Sequence, residues 1–246
     1  MKKIAAIILA GGRGKRMKTL KHNKVVFKLA DKHMIVHTVD LLDKLKIKIK
    51  IVVVGFAKKS VMDVLKNRVI YAIQKKRLGT AHAASCALEK LPKNVSDVLI
   101  LQGDDSALYK AETIVKLIDL HLLSKAAFTF LTIEVDNPAG LGRIKRDKND
   151  KLLSVIEEKD ATEIDKKIKE INPACYIISV DFLNKYLKKI EKSKITGEYY
   201  LTNLIDIAIM NNEKLEAVKA GKIAWRGINT PKELKEAQRL FFTLKN

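Results

Sequence analysis

The chain has 246 residues, 47% hydrophobic and 31% charged, a composition that excludes a disordered polymer and can bury the core of one large domain. Its net charge is +20, and residues 1–60 hold 16 Lys/Arg against three Asp, which raises nucleic acid or an anionic membrane as a partner. Aromatics make up only 6% and do not interleave with the basic residues, so a base-stacking platform is not expected, and most of the excess reads as solubility or attraction of an anionic substrate.

In chain order, Ile4–Ala10 is a short apolar run, enough for one buried strand and too short to cross a bilayer. It follows Lys2-Lys3 but ends in Gly-Gly-Arg rather than a cleavage site, so a cytoplasmic protein without membrane insertion is expected. The pattern then predicts helices near Met34–Leu45, Lys59–Lys66, Thr80–Lys90 and Ala111–Ser124. Strands alternate with them at Ile47–Val54, Val69–Ile73, Asp97–Leu101 and Ala126–Ile133. Strands separated by helices of this length imply a parallel sheet covered on both faces.

The middle of the chain reads differently. Gly142–Arg146, the polar turn Asp147–Asp150 and Leu152–Glu157 predict a β-hairpin, followed by a charged helical stretch over Ala161–Lys169 and a strand at Cys175–Val180. Phe182–Lys194 reads as an amphipathic helix with a solvated lysine face, and Glu198–Asn211 as another helix. Pro231–Leu244 closes the chain as a helix with Thr230 as N-cap. Cys86 and Cys175 lack metal-site spacing and fall in apolar segments, so both read as reduced core thiols. The expected fold is α/β: a Rossmann-like open, mostly parallel sheet with helices on both faces and a small β-rich lobe. One domain over 1–246 is expected, with a first half near 1–135, a second half near 136–230 and a C-terminal helix near 231–246.

Three stretches carry chemistry. The first strand breaks into Gly11-Gly12-Arg13-Gly14-Lys15-Arg16-Met17, with Lys18, Lys21 and Lys24 behind. Glycines bring backbone N–H groups close to an anion and the cations neutralise it, although an ordinary βα turn with surface lysines looks similar. Neither the Walker A spacing nor the dinucleotide G-x-G-x-x-G is present. Gln74 and Leu78-Gly79-Thr80-Ala-His82 follow a strand and open a helix; Gln74 offers an amide that can read a base edge, and Thr80 could equally be a cap. His82 has no evident partner acid or nucleophile and reads as a core or capping histidine. Leu99–Leu101 runs into Gln102-Gly103-Asp104-Asp105, a carboxylate at the strand end where open α/β sheets bind ligands, with hard oxygen chemistry that suits Mg²⁺.

Taken together these stretches resemble the sugar-nucleotide pyrophosphorylase family, and within it the uridylyltransferase branch of the bifunctional N-acetylglucosamine-1-phosphate uridylyltransferases. Leu9–Met17 is similar to the family's L-[AG]-[AG]-G-x-G-[TS]-R-M, with Lys15 for the hydroxyl residue, and Lys24 to its closing lysine, with Asn23 for the usual proline. Gly103-Asp104 resembles the metal-binding G-D, continued here by Asp105-Ser106 rather than an apolar residue and proline. Further along, Gly140–Ile144, Ile156–Ala161, Glu170–Asn172, Gly197–Thr202 and Gly227–Asn229 are similar to G-Y-G-R-I, V-E-x-K-D-A, E-I-N, G-E-Y-Y-[IL]-T and G-[VI]-N.

The resemblance implies in-line attack of a sugar 1-phosphate on the α-phosphate of UTP, releasing pyrophosphate. Arg16 and Lys24 are the implied catalytic residues, and Asp104 and Asn229 the implied ligands of Mg²⁺. Leu9, Gly11, Gly12, Gly14, Gln74, Gly79, Thr80 and Gly103 are implied to hold the nucleotide. Gly142, Glu157, Asn172, Tyr200 and Thr202 are implied to hold the sugar, best matched by N-acetylglucosamine. Pro173-Ala174 replaces the Thr-Gly of the relatives, removing a backbone donor and the glycine beside the N-acetyl group. No hexapeptide-repeat β-helix follows Asn246, so acetyl transfer is not expected of this chain. The alternatives are a same-fold transferase with another nucleotide or phosphorylated acceptor, and a non-catalytic binding protein for sugar nucleotides or nucleic acid. Nucleic acid is the disfavoured partner, and a homo-oligomer is compatible with the sequence.

Overall fold

Ile4–Ala10 is apolar at every position, and such a strand is stable only when both of its faces are covered. The computed structural model, which describes residues 3–19 and 21–243, places this strand, β1, inside a ten-stranded sheet. A two-stranded ribbon of β2 (Lys28–Leu29) and β3 (Lys32–His33) precedes helix α1 (Met34–Lys44). The alternation then runs β4 (Lys50–Val54), α2 (Lys58–Leu65), β5 (Ile70–Ile73), α3 (Thr80–Leu88), β6 (Asp97–Gln102), α4 (Ala111–Ser124) and β7 (Phe128–Glu134). The second half contributes β8 (Gly142–Arg146), β9 (Leu152–Ile156), β10 (Glu170–Asn172), β11 (Tyr176–Ser179), α5 (Val180–Tyr186), α6 (Asn203–Met210), β12 (Leu215–Lys222) and α7 (Pro231–Thr243).

The sheet order is β5-β4-β1-β6-β11-β7-β10-β8-β9, with β12 parallel to β7. β5, β4, β1 and β6 are mutually parallel, and β11 enters antiparallel between β6 and β7. Alternate residues of each strand feed opposite cores, as a period-2 pleat requires. Ala6 and Ile8 of β1, Val52 of β4 and Leu99 of β6 join the core under α1, α2, α4 and α7. Ala5, Ile7, Ile51 and Val98 join the core under α3, α5 and α6. The α/β expectation with helices on both faces therefore holds, and β8–β9 is the antiparallel hairpin expected at Gly142–Arg146.

Four local expectations are corrected. Ala161–Lys169 is not a helix but a single 3-10 turn, Asp165–Lys167, followed by the strand β10. The Thr162 N–H and hydroxyl both donate to Asp165 Oδ2, at 3.2 and 2.6 Å, a local competition that closes one turn, and Ile168 leaves it in extended conformation. Helix α5 begins at Val180, capped by Ser179, whose Oγ accepts the Phe182 N–H at 3.1 Å, and is replaced after Tyr186 by a 3-10 turn. Glu198–Leu201 is not helical, because the Tyr199 N–H donates to Leu78 O at 2.8 Å and Tyr199 O accepts the Ala81 N–H at 3.0 Å. β12 was not expected; its run Leu215–Lys222 contains glycine and three charged residues and lacks a continuous apolar stripe. Thr230 does cap α7, in a reciprocal box with Glu233 at 3.1 and 3.2 Å. Leu244, the expected end of that helix, lies outside the described residues.

Candidate active site

The carboxyl ends of β1 and β6 meet where the Gly103 N–H donates to Leu9 O at 3.1 Å, and the glycine loop leaves the sheet beside them. Asn23 fixes that loop. It is 1% exposed, and its Nδ2 donates to Ala10 O at 2.8 Å and Phe56 O at 2.9 Å. Its Oδ1 accepts the Val25 N–H at 3.1 Å, so the amide caps the turn that carries Lys24. Sequence reasoning treated Asn23 only as a replacement for proline; the signal was an isolated Asn between cations, which has too many ordinary explanations to single it out.

Lys24 projects from this turn into an open cleft of about 280 Å³. Its ammonium forms an ion pair with Asp104 and donates to Asn229 Oδ1 at 2.9 Å. Asp104 is delivered by the end of β6, and Asn229 by the segment before α7, whose N-terminal Glu233 accepts the Asn229 N–H at 2.8 Å. A carboxylate and an amide oxygen thus converge on one cation. That is the hard-oxygen donor pair Mg²⁺ uses while keeping water and phosphate as its other ligands, so the residues present fit the metal. No group of three or more His, Cys, Asp or Glu that could hold a metal occurs among the described residues. Arg16 lines the same cleft from the glycine loop after β1, its guanidinium close to Gly140, and has no ion pair among the described residues.

The far wall of the cleft comes from the second half of the chain. Gly142, Glu157, Asn172, Tyr200 and Thr202 all line it, together with Thr80. Thr202 Oγ1 donates to Glu157 Oε1 at 2.8 Å, and burial pushes the Glu157 carboxyl above its usual range despite that bond. Asn172 Nδ2 donates to the Tyr176 hydroxyl at 2.7 Å, and its Oδ1 accepts the Ala174 N–H at 2.9 Å. The Tyr200 hydroxyl bonds Thr196 Oγ1 at 2.6 Å. Thr80 is not the helix cap: Gly79 occupies that position without a side-chain bond, and Thr80 Oγ1 accepts the Leu201 N–H at 2.8 Å, tying α3 to the wall. Gly79 sits at φ +106°, and a Cβ there would lie 2.4 Å from Tyr199 O, so only glycine lets the two segments meet.

The remaining expected nucleotide residues do not line this cleft; they form the ground behind the glycine loop. Leu9, Gly11, Gly103 and Gln74 are buried, while Gly12 and Gly14 lie on the loop itself, Gly14 packed on the Lys24 stem. Gln74 packs so closely on Gly11 that a Cβ there would lie 2.5 Å from its Oε1. Its Nε2 donates to Gly79 O at 3.0 Å and meets His82 Nδ1 at 3.1 Å, an amide contact that gives His82 neither an acid nor a nucleophile. Asp105 is buried in the cleft wall, and burial together with Asp104 pushes its carboxyl well above the usual carboxylate range. Trp225, another buried wall residue, carried no motif and was not anticipated.

A strand-end loop with two cations, a carboxylate–amide pair and a polar wall has the groups that can bind phosphates. The model of the nucleotidyl transferase family matches residues 5–242. A bifunctional protein GlmU of Thermoanaerobacter pseudethanolicus is 40% identical over 240 residues, covering 98% of this chain and 52% of the relative. A GlmU of Caldicellulosiruptor saccharolyticus is 41% identical over 241 residues, covering 97% and 52%. The chain spans about half the length of these curated relatives. Among solved structures, a putative glucose-1-phosphate thymidylyltransferase from Bacillus anthracis, in complex with a sucrose, superimposes with a TM-score of 0.83 at 21% identity, covering 97% of this chain and 95% of that one. At that identity the likeness speaks for the fold, a sheet of the nucleotide-diphospho-sugar transferase type. No helix among the described residues is long and apolar enough to cross a membrane. With the family model spanning nearly the whole chain and the strand-end loop, Asp104 and Asn229 gathered in one cleft, the chain belongs to the nucleotidyl transferase family.

Proposed function

We propose that the protein transfers a uridylyl group from UTP to a sugar 1-phosphate, N-acetylglucosamine 1-phosphate being the best-supported acceptor, and releases pyrophosphate. The observation that carries this reading is the convergence of Lys24, Asp104 and Asn229 at one end of a cleft whose other end is lined by Glu157, Asn172 and Thr202. In the reaction an oxygen of the sugar phosphate forms a bond to the α-phosphorus of UTP. The bond from that phosphorus to the bridging oxygen breaks in line, and its electron pair leaves with pyrophosphate. Mg²⁺ held by Asp104 and Asn229 would neutralise phosphate charge when bound.

The chain's own groups supply the rest. Arg16 and Lys24 stabilise charge on the transferring and leaving phosphates, and the N–H groups of the glycine loop lie beside them. Glu157, oriented by Thr202, accepts from sugar hydroxyls, and Gly142 leaves room for the ring. Gln74 holds Gly79 and the glycine loop together, so uracil is read by a wall whose shape it sets.

The test is pyrophosphate release with Mg²⁺, pairing four nucleoside triphosphates with N-acetylglucosamine, glucose and galactose 1-phosphates. Release with UTP and N-acetylglucosamine 1-phosphate, abolished by Asp104→Ala, is the expected result. Turnover only with another nucleotide or another acceptor moves the specificity. No turnover with any pair overturns the transferase reading.

A further inference from the structure

The Asn229 side chain has a single acceptor atom, Oδ1, and the Lys24 ammonium donates to it at 2.9 Å. The same ammonium forms its ion pair with Asp104 Oδ2. An ammonium only donates, so Asn229 must turn its oxygen and not its amide nitrogen toward the lysine. The two side chains that fit Mg²⁺ therefore give their oxygens to Lys24. The contact is sheltered, the Lys24 and Asp104 side chains being 14% and 11% exposed, and solvent ions screen such a pair less than an exposed one.

Lysine and metal exclude one another at this place. A divalent cation and an ammonium on one amide oxygen bring three positive charges together, and they repel strongly where water is scarce. Of the groups involved, the lysine is the one free to leave. Asp104 follows Gly103, whose N–H is bonded to Leu9 O at 3.1 Å, and the Asn229 N–H is bonded to Glu233 Oε2 at 2.8 Å. The Lys24 stem lies along the glycine loop: a Cβ on Gly14 would stand 2.9 Å from Lys24 Cβ and 3.5 Å from its Cδ. Beyond that anchored stem the ammonium is a compact charge on rotatable bonds. It can swing from the two oxygens while its stem stays on the loop that, on the proposed function, faces phosphate.

We propose that Lys24 is a built-in stand-in for the divalent cation. It keeps Asp104 and Asn229 from the metal until a polyphosphate draws the ammonium away, and the metal then takes the two oxygens that the lysine gives up. This rests on the proposed function above and adds how its metal is admitted. One displacement does two things: it opens the carboxylate–amide pair and delivers the lysine to the charge it offsets. Only ionic and coordination contacts are exchanged, and no covalent bond changes.

The experiment measures Mn²⁺ affinity of the nucleotide-free protein by electron paramagnetic resonance in wild type, Lys24→Met and Arg16→Met. Methionine keeps an unbranched stem and removes the charge. Arg16 lines the same cleft without an ion pair among the described residues, so its variant controls for the general loss of one positive charge. Lys24→Met should bind Mn²⁺ about tenfold or more tightly than wild type, and Arg16→Met should gain less than about threefold. Adding Asp104→Asn to Lys24→Met should cancel the gain. Equal gains in both single variants, an unchanged or weaker affinity in Lys24→Met, or no Mn²⁺ binding in any of the three overturns the proposal. Circular dichroism checks each fold, and Lys24→Gln takes the place of Lys24→Met if methionine is not tolerated. The Lys24 Cε–H resonance of wild type, assigned by its loss in Lys24→Arg, should shift when UTP is added with chelator present. A resonance unmoved at saturating UTP overturns release by the polyphosphate. Wild-type pyrophosphate release is measured separately: turnover with the Mn²⁺ affinities unmoved removes the stand-in alone, whereas the expected Mn²⁺ gain without turnover removes the transferase reading alone.

Discussion

Lys24 Nζ lies 2.9 Å from Asn229 Oδ1, joining residues 205 positions apart in sequence at the end of the sheet. The same ammonium pairs with Asp104, so the turn after β1, the end of β6 and the approach to α7 close on a single positive charge. On the proposed function this cation offsets polyphosphate charge, which must be neutralised before a phosphorus can be attacked.

Replacing Lys24 with alanine should therefore lower the rate of pyrophosphate release by about 10²–10³, as for other preorganised charge-stabilising groups, with the fold intact. Removing divalent metal with a chelator should abolish the same activity, and added Mg²⁺ should restore it in wild type but not in Asp104→Ala. Steady-state kinetics checks both. A Lys24→Ala protein that keeps wild-type kcat would take this lysine out of the chemistry.

Asn23 takes the place of proline in the family pattern that this loop resembles, yet Asn23→Pro should destabilise this chain. Its φ of −69° suits proline. The substitution removes the amide that holds Ala10 O and Phe56 O, the Oδ1 that caps Val25, and the Asn23 N–H that donates to Ser60 Oγ at 3.0 Å. At roughly 1 kcal/mol per hydrogen bond, a loss of about 2–4 kcal/mol is expected in urea denaturation. An unchanged midpoint would mean that the loop keeps its shape by other means.

Gly79→Ala tests the junction of the two halves. Its φ of +106° is one that alanine adopts only under strain, and the new Cβ would stand 2.4 Å from Tyr199 O. The strain alone is worth about 1–3 kcal/mol, and relief requires Tyr199 and the adjoining Leu201–Thr80 contact to move. Thermal denaturation should show the loss, and the Michaelis constant for the sugar phosphate should rise because Tyr200 and Thr202 shift with that segment. Wild-type values for both would sink the idea that this close approach shapes the cleft.

The strand–helix alternation was legible because β1, β4 and β6 are apolar on both faces, and α1 and α4 keep a helical apolar stripe. What escaped was set by partners distant in sequence. Glu198–Leu201 carries a helix-compatible pattern but is held out of a helix by hydrogen bonds to Leu78 and Ala81, and β12 is a strand because β7 supplies its hydrogen bonds. The same holds for the site. Lys24, Asp104 and Asn229 stood out as residue types in motifs, whereas Asn23 acts through hydrogen bonds to segments distant in sequence and Trp225 through burial, which no local pattern encodes.

Asp206, on α6, gives a pH dependence with a definite sign. Burial pushes its carboxyl up to about 6, the Val155 backbone pulling it back only in part, and Oδ1 has no hydrogen-bond partner. An aspartate in the unfolded chain titrates near 3.8, so between that value and about 6 the folded state binds more protons than the unfolded one. Stability contributed by this group is fully present below the unfolded pKa and is lost as pH rises through the folded one. The full shift would amount to about 3 kcal/mol, but the side chain is only partly buried and solvent screening reduces that to about 1–2 kcal/mol. Asp206→Asn removes the charge, so the variant should be more stable than wild type by that amount at pH 7.5 and should lose the advantage near pH 4. Urea titrations of both proteins at the two pH values decide it. A difference that is constant with pH would show that the asparagine acts through packing rather than through the carboxyl proton.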